Sequence, residues 1–210
     1  MNRYRVATFA TALLLLSCAA CGDDKPPRGA DALKKACGGI LDSAEIKEAQ
    51  KSDSFDRLYD ASASGESHAS AAKTLLDDDH AAYACRIAIA DAPASGDGGL
   101  SIKFTPGLDN LFPEQENHSY SSYKAYKLGS GMQATTESGS ADLYFPCRLK
   151  GQETPISVTG SLYNSLDLSV EIRFRILFRS TLKMVSLLKC ENGIKFPAPE
   201  TMQPLPLKKS

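Results

Sequence analysis

The chain has no tryptophan and only three histidines, His68, His80 and His118. Its four downstream cysteines, Cys37, Cys85, Cys147 and Cys190, are widely spaced and form no CxxC pair, which argues against a zinc ribbon. No GxSxG elbow, HExxH helix, phosphate-binding P-loop or GxGxxG turn occurs, so the enzyme classes that carry those motifs have no support here. Charge of one sign is missing too. The 24 Lys and Arg balance 25 Asp and Glu, leaving no basic field for nucleic acid. Nothing calls for a metal or a cofactor. Beyond the first segment, no apolar run approaches the ~20 residues that a membrane-spanning helix needs.

What is present is concentrated at the start. Arg3 and Arg5 precede an apolar stretch, Val6 to Leu16, that is too short to span a bilayer. Small residues then lead into Cys18 and Cys21. This is the pattern of a bacterial lipoprotein signal, cut before a cysteine whose thiol takes the lipid. Cys18 has leucine at the third position upstream and serine directly before it. Cys21 has two alanines before it, and cutting there leaves four further cysteines, an even set that can pair fully. Parity favours Cys21, with Cys18 as the alternative.

The expected organisation follows: a signal at 1–20, a tether at 21–30, a folded domain at 31–195 and a proline-rich tail at 196–210. The tether is polar and carries Pro26 and Pro27. At about 3.3 Å per residue it reaches roughly 30 Å from the lipid surface. Removing Arg3 and Arg5 takes the net charge from −1 to −3, so nothing suggests a second, electrostatic membrane contact. The implied location is the extracytoplasmic face of the cell membrane, held by lipid, where disulfides form.

Along the domain, Asp31 to Cys37 reads as a short helical turn stopped by glycine. Asp42 and Glu45 form a capping box that opens a helix over 43–50. Phe55 to Asp60 reads as a strand, 61–70 as a polar loop and 71–78 as a helix. Tyr83 to Asp91 and Leu100 to Phe104 read as hairpin partners. Residues 105–121 read as a long loop. Segments 122–136, 141–149 and 156–163 read as further strands. Leu166 to Cys190 carries both periods: Val170, Ile172, Phe174, Ile176 and Phe178 alternate, while Glu171, Arg175, Arg179 and Lys183 recur every four residues. Some 25 residues without a turn signal favour a helix.

The cysteines fall into similar contexts. Cys85 in "YACRI" and Cys147 in "FPCRL" lie on strands, whereas Cys37 in "KKACGGI" and Cys190 in "LLKCENGI" follow helical turns. This suggests pseudo-duplicated halves, each tying helix to sheet by Cys37–Cys85 and Cys147–Cys190. The expected class is α+β, an antiparallel sheet flanked by helices with two disulfides.

With its "CGG-hydrophobic" turn at Cys37, a strand ending "LYFPC" at Cys147 and a last helix closing on "LLKCENG", the chain resembles a group of uncharacterised actinobacterial secreted lipoproteins. That resemblance implies fold and location and carries no activity.

Candidate functional residues are few. Asp77-Asp78-Asp79-His80 lacks the alternating ligands and glycine of a calcium loop and reads as a solvated helix end. Tyr120, Tyr123 and Tyr126, spaced by three, are candidates for a recognition surface or for strand packing. Arg173, Arg175, Arg179 and Lys183 give the last helix a basic side, which suits a solvated face paired with Glu171 or a docking site for an acidic partner. The expected role is a binding module for a partner protein or small ligand. The alternative is an envelope-acting hydrolase, which would need a pocket holding a nucleophile, a histidine and a carboxylate within hydrogen-bond reach.

Overall fold

The computed structural model describes residues 26–62, 65–78, 80–92, 98–107 and 122–206. The signal, Cys18, Cys21, Tyr120 and His118 lie outside the described residues.

Seven strands form one antiparallel sheet: β1 (Leu58–Asp60), β2 (Ala82–Ile89), β3 (Gly99–Pro106), β4 (Lys124–Gly129), β5 (Met132–Glu137), β6 (Ser140–Cys147) and β7 (Ile156–Asn164). Their order is β1-β2-β3-β7-β6-β5-β4. Four helices accompany it: α1 (Gly29–Lys35), α2 (Ser43–Ala49), α3 (His68–Asp77) and α4 (Val170–Leu188). The α+β class is as the sequence implied, and both disulfides join the expected partners. Cys37 and Cys85 have their Cα atoms 4.8 Å apart, and Cys147 and Cys190 5.1 Å apart.

Strand alternation decides which face is dry. On β6, Ala141, Leu143, Phe145 and Cys147 are buried, while Ser140, Asp142, Tyr144 and Pro146 point the other way. The same phase runs through Leu100, Ile102 and Phe104 of β3 and Val158 and Leu162 of β7, all buried. Helices α3 and α4 cover this face. Phe104 sits directly opposite Gly160. A Cβ at Gly160 would come within 2.9 Å of the Phe104 ring, so glycine here makes room for the aromatic core.

Helix α4 resolves the ambiguous segment in favour of the helix. Its buried stripe includes Ile172, Phe174, Ile176, Leu177, Met184 and Leu188. A pure strand pattern would have exposed alternate residues, but Ile176, Leu177 and Phe178 are buried in succession. Truncating Phe174, which is 1% exposed, to alanine costs about 3 kcal/mol or more by loss of transfer energy and cavity formation.

Several boundaries differ from expectation. Phe55–Arg57 is a 3-10 turn and only Leu58–Asp60 pairs as a strand. The loop expected up to residue 70 ends earlier, because Ser67 caps α3 and Ser70 closes the capping box. The expected strand over 122–136 is two strands. Gly129, Ser130 and Gly131 all have positive φ and turn the chain back on itself. The proline-rich tail, as far as residue 206, lies on the domain. The Phe196 ring stacks on Phe178 at 4.5 Å, and the Leu205 amide donates to the Ala125 carbonyl on edge strand β4.

The likeness between the two halves is confined to the bridged hairpins. Hairpins β2–β3 and β6–β7 flank the sheet centre with their order reversed, and each outer strand carries a bridged cysteine. The helices are not repeated in chain order, since α3 lies between β1 and β2 while β5 and β6 are joined directly.

Candidate functional site

Of the tyrosines spaced by three, Tyr126 falls on β4 and Tyr123 just ahead of it. Tyr126 is buried against Phe174, edge to face at 5.3 Å. Tyr123 is half-buried just ahead of the strand. Burial, then the nearby Asp142 and Glu137 carboxylates, push its phenol up. Tyr126 thus packs within the fold, as the strand-packing reading of these tyrosines expects, while Tyr123 stands near Asp142 and Glu137.

The basic side of α4 is also divided. Arg173 is 7% exposed and donates to the carbonyls of Glu137 and Ser140, both at 2.6 Å. It ties the helix to the β5–β6 turn and is not part of a solvated face. Arg179 donates to both Glu45 carboxylate oxygens at 2.9 and 2.8 Å, to Asp42 at 2.6 Å and to the Ile40 carbonyl at 2.7 Å. Glu45 itself is 1% exposed. Burial pushes its carboxyl up, while the hydrogen bond with Glu45 is the largest influence holding Asp42 well below the usual carboxylate range. Arg175 pairs with Glu171 one turn earlier and lies 3.7 Å from Glu200 of the tail. Arg175 and Arg179 are thus engaged within the fold.

Lys183 is placed differently. Its ammonium donates to the Gly38 carbonyl at 3.3 Å. A Cβ at Gly38 would overlap Lys183 Nζ, so only glycine lets the ammonium sit there. Lys183 helps line a 360 Å³ cavity at the start of α3. Asp60, Ser62, Glu66, Ser67 and His68 supply its other polar walls. Asp60 follows Leu58 by two on β1, so it shares the core-side face but lies at its exposed end. Its carboxylate accepts from the Ser62 amide at 3.0 Å. Glu66 is occupied by Arg86 at 2.5 Å. Among the described residues, neither Lys183 nor Asp60 has an oppositely charged side chain within ion-pair distance.

His68 is the first residue of α3 and is 2% exposed. Its Nε2 and Ser180 Oγ share a hydrogen bond of 2.7 Å. Burial, and then the Lys183 charge, lower its pKa to about 4, so it is neutral at ordinary pH. This places a serine beside a histidine with carboxylates nearby, as a hydrolase would require. The geometry fails on access. Ser180 is fully buried and does not line the cavity, so a scissile carbonyl has no approach to its hydroxyl. The pair fastens α3 to α4. It joins residues 112 positions apart, with no recognisable spacing along the chain.

His80 turns back to the Asp78 carbonyl at the end of α3, and among the described residues no group of three His, Cys, Asp or Glu could hold a metal ion. No helix among the described residues is long and apolar enough to cross a membrane. Other depressions lie elsewhere among the described residues. One, of 320 Å³ on the open sheet face, is lined by Tyr83, Lys103, Thr105, Ser161 and Tyr163. Another, of 430 Å³ beside the α3 end, is mostly apolar and includes Leu75, Leu76, Leu149 and Val158. The α3 cavity differs from both in bringing charges of both signs to one wall.

No protein-family model, curated protein or solved structure matches the chain.

Proposed function

We propose that this chain is a lipid-anchored extracytoplasmic binding module, with the cavity at the start of α3 as its ligand site. The anchor reading rests on the leader that ends at Cys18 and Cys21. The two disulfides, Cys37–Cys85 and Cys147–Cys190, suit an oxidising compartment. The choice of binding over hydrolysis rests on one observation: the cavity's charged groups line the open space, while the serine paired with His68 is sealed behind it. A cavity of 360 Å³ falls within the size range of small-molecule sites.

Mass analysis of the native protein tests the anchor. The expected result is a mature chain starting at Cys21 and carrying a diacylglyceryl group; a start at Cys18 would keep the anchor and move it, whereas an uncut and unmodified chain would overturn it. Turnover of a generic ester or peptide substrate tests the binding reading. No turnover is expected. Turnover that disappears in Ser180→Ala would replace it with a hydrolase.

A further inference from the structure

The α3 cavity has a chemical complement that its walls specify. Lys183 offers an ammonium that, among the described residues, is held by the Gly38 backbone carbonyl. The first turn of α3, with Ser67, His68 and Ala69 on the wall, adds partial positive charge from its amide end. Asp60 offers a carboxylate that accepts from the Ser62 backbone amide. The second carboxylate, Glu66, is ion-paired with Arg86 through Oε1, while its buried Oε2 has no hydrogen-bond partner among the described residues, and His68 is neutral. The net supply is therefore one cation and one anion facing a common space. Cys37, Ala69, Ala84 and Leu187 also line the cavity, small or aliphatic groups suited to a short apolar substituent. A site that brings together two opposite, unpaired charges and a small apolar wall would favour a ligand that carries the reciprocal set.

We propose that this cavity binds a free α-amino acid with a small aliphatic side chain, its carboxylate toward Lys183 and its ammonium toward Asp60. The proposal rests on the binding reading above and names the ligand class of that site. Gly38 is part of the arrangement, because any side chain there would displace the Lys183 ammonium. Ligands with one charge would leave the other wall group desolvated without a partner, which is the source of discrimination.

The full chain, purified in detergent, is titrated by calorimetry and NMR with L-valine, with isobutylamine (valine without its carboxylate) and with isovalerate (valine without its ammonium). Saturable valine binding is expected, with each analogue weaker by about ten-fold or more. Lys183→Met should remove the advantage of valine over isobutylamine. Asp60→Asn should remove its advantage over isovalerate. Thermal unfolding checks that both variants fold; Asp60 is exposed and its variant keeps the test open if the other fails. Equal binding of all three compounds, or no valine binding up to about 10 mM, would overturn the proposal. In that second outcome a different ligand copurifying with the native chain would leave the binding reading standing, whereas ester or peptide turnover would remove it.

Discussion

Arg179 and Lys183 stand one turn apart on α4, yet they belong to different regions of the molecule. Arg179 closes a network that reaches back to the α2 capping box, where it meets Glu45, Asp42 and the Ile40 carbonyl. Lys183 faces a cavity and touches one backbone carbonyl. The two have the same formal charge and the same helical stripe. What separates them is the burial of the partner. Glu45 has almost no contact with water, so its carboxyl depends on the guanidinium, and the planar fork of arginine serves both oxygens at once. Lys183 answers no such demand. Charge used to hold a fold and charge left facing a space are told apart by what would be stranded on removal.

The largest expected break in that comparison is Arg179→Met. It leaves Glu45 buried without its cation and also releases one contact to the α2 cap. Removing one partner of a buried pair costs about 3–5 kcal/mol, and urea unfolding would read it as a lower midpoint with an unchanged slope. Retention of full stability would mean that Glu45 is not held by Arg179.

Next comes the neighbour of the cavity, His68. Its folded pKa is about 4 against an ordinary value of 6.5. Between those values the unfolded chain takes up a proton that the folded chain refuses. Stability is therefore complete above pH 6.5 and falls as the pH drops toward 4, by about 3 kcal/mol across that window. Urea midpoints measured through this range should fall with acidification, and His68→Gln should flatten that part of the profile. A profile identical in the two proteins would contradict the buried, neutral histidine.

The smallest effects belong to the exposed side of α4. Arg175→Met breaks a solvent-facing pair with Glu171 and should cost no more than about 0.5 kcal/mol. Lys183→Met should also stay within about 0.5 kcal/mol, although it is expected to abolish the distinction between valine and isobutylamine. A large destabilisation by Lys183→Met would place that residue with Arg179.

The difference between these two side chains also marks how far the sequence could be read. The capping box at Asp42 and Glu45 was legible because it is local: cap and partner are three residues apart. That Arg179 completes it was not, because the contact spans 134 positions. Both disulfides could be paired because their cysteines keep recognisable local contexts. The tyrosine series left recognition and strand packing equally open, and Tyr126 is buried because pairing with β5 sets which face of the strand it takes. The loop-like reading of Ser67 to Ser70 missed a serine-based capping box. Nothing in the sequence pointed to the cavity itself. Its walls come from α1–α2 connecting residues, β1, α3, β2 and α4, and only the sheet order brings them together.

Side-by-side urea unfolding of Arg179→Met and Lys183→Met measures the division between the two regions most directly. The expected result is a loss of about 3 kcal/mol or more for Arg179→Met and a change within about 0.5 kcal/mol for Lys183→Met. Equal losses in the two variants would contradict it, since Lys183 would then be holding the fold and not facing a ligand.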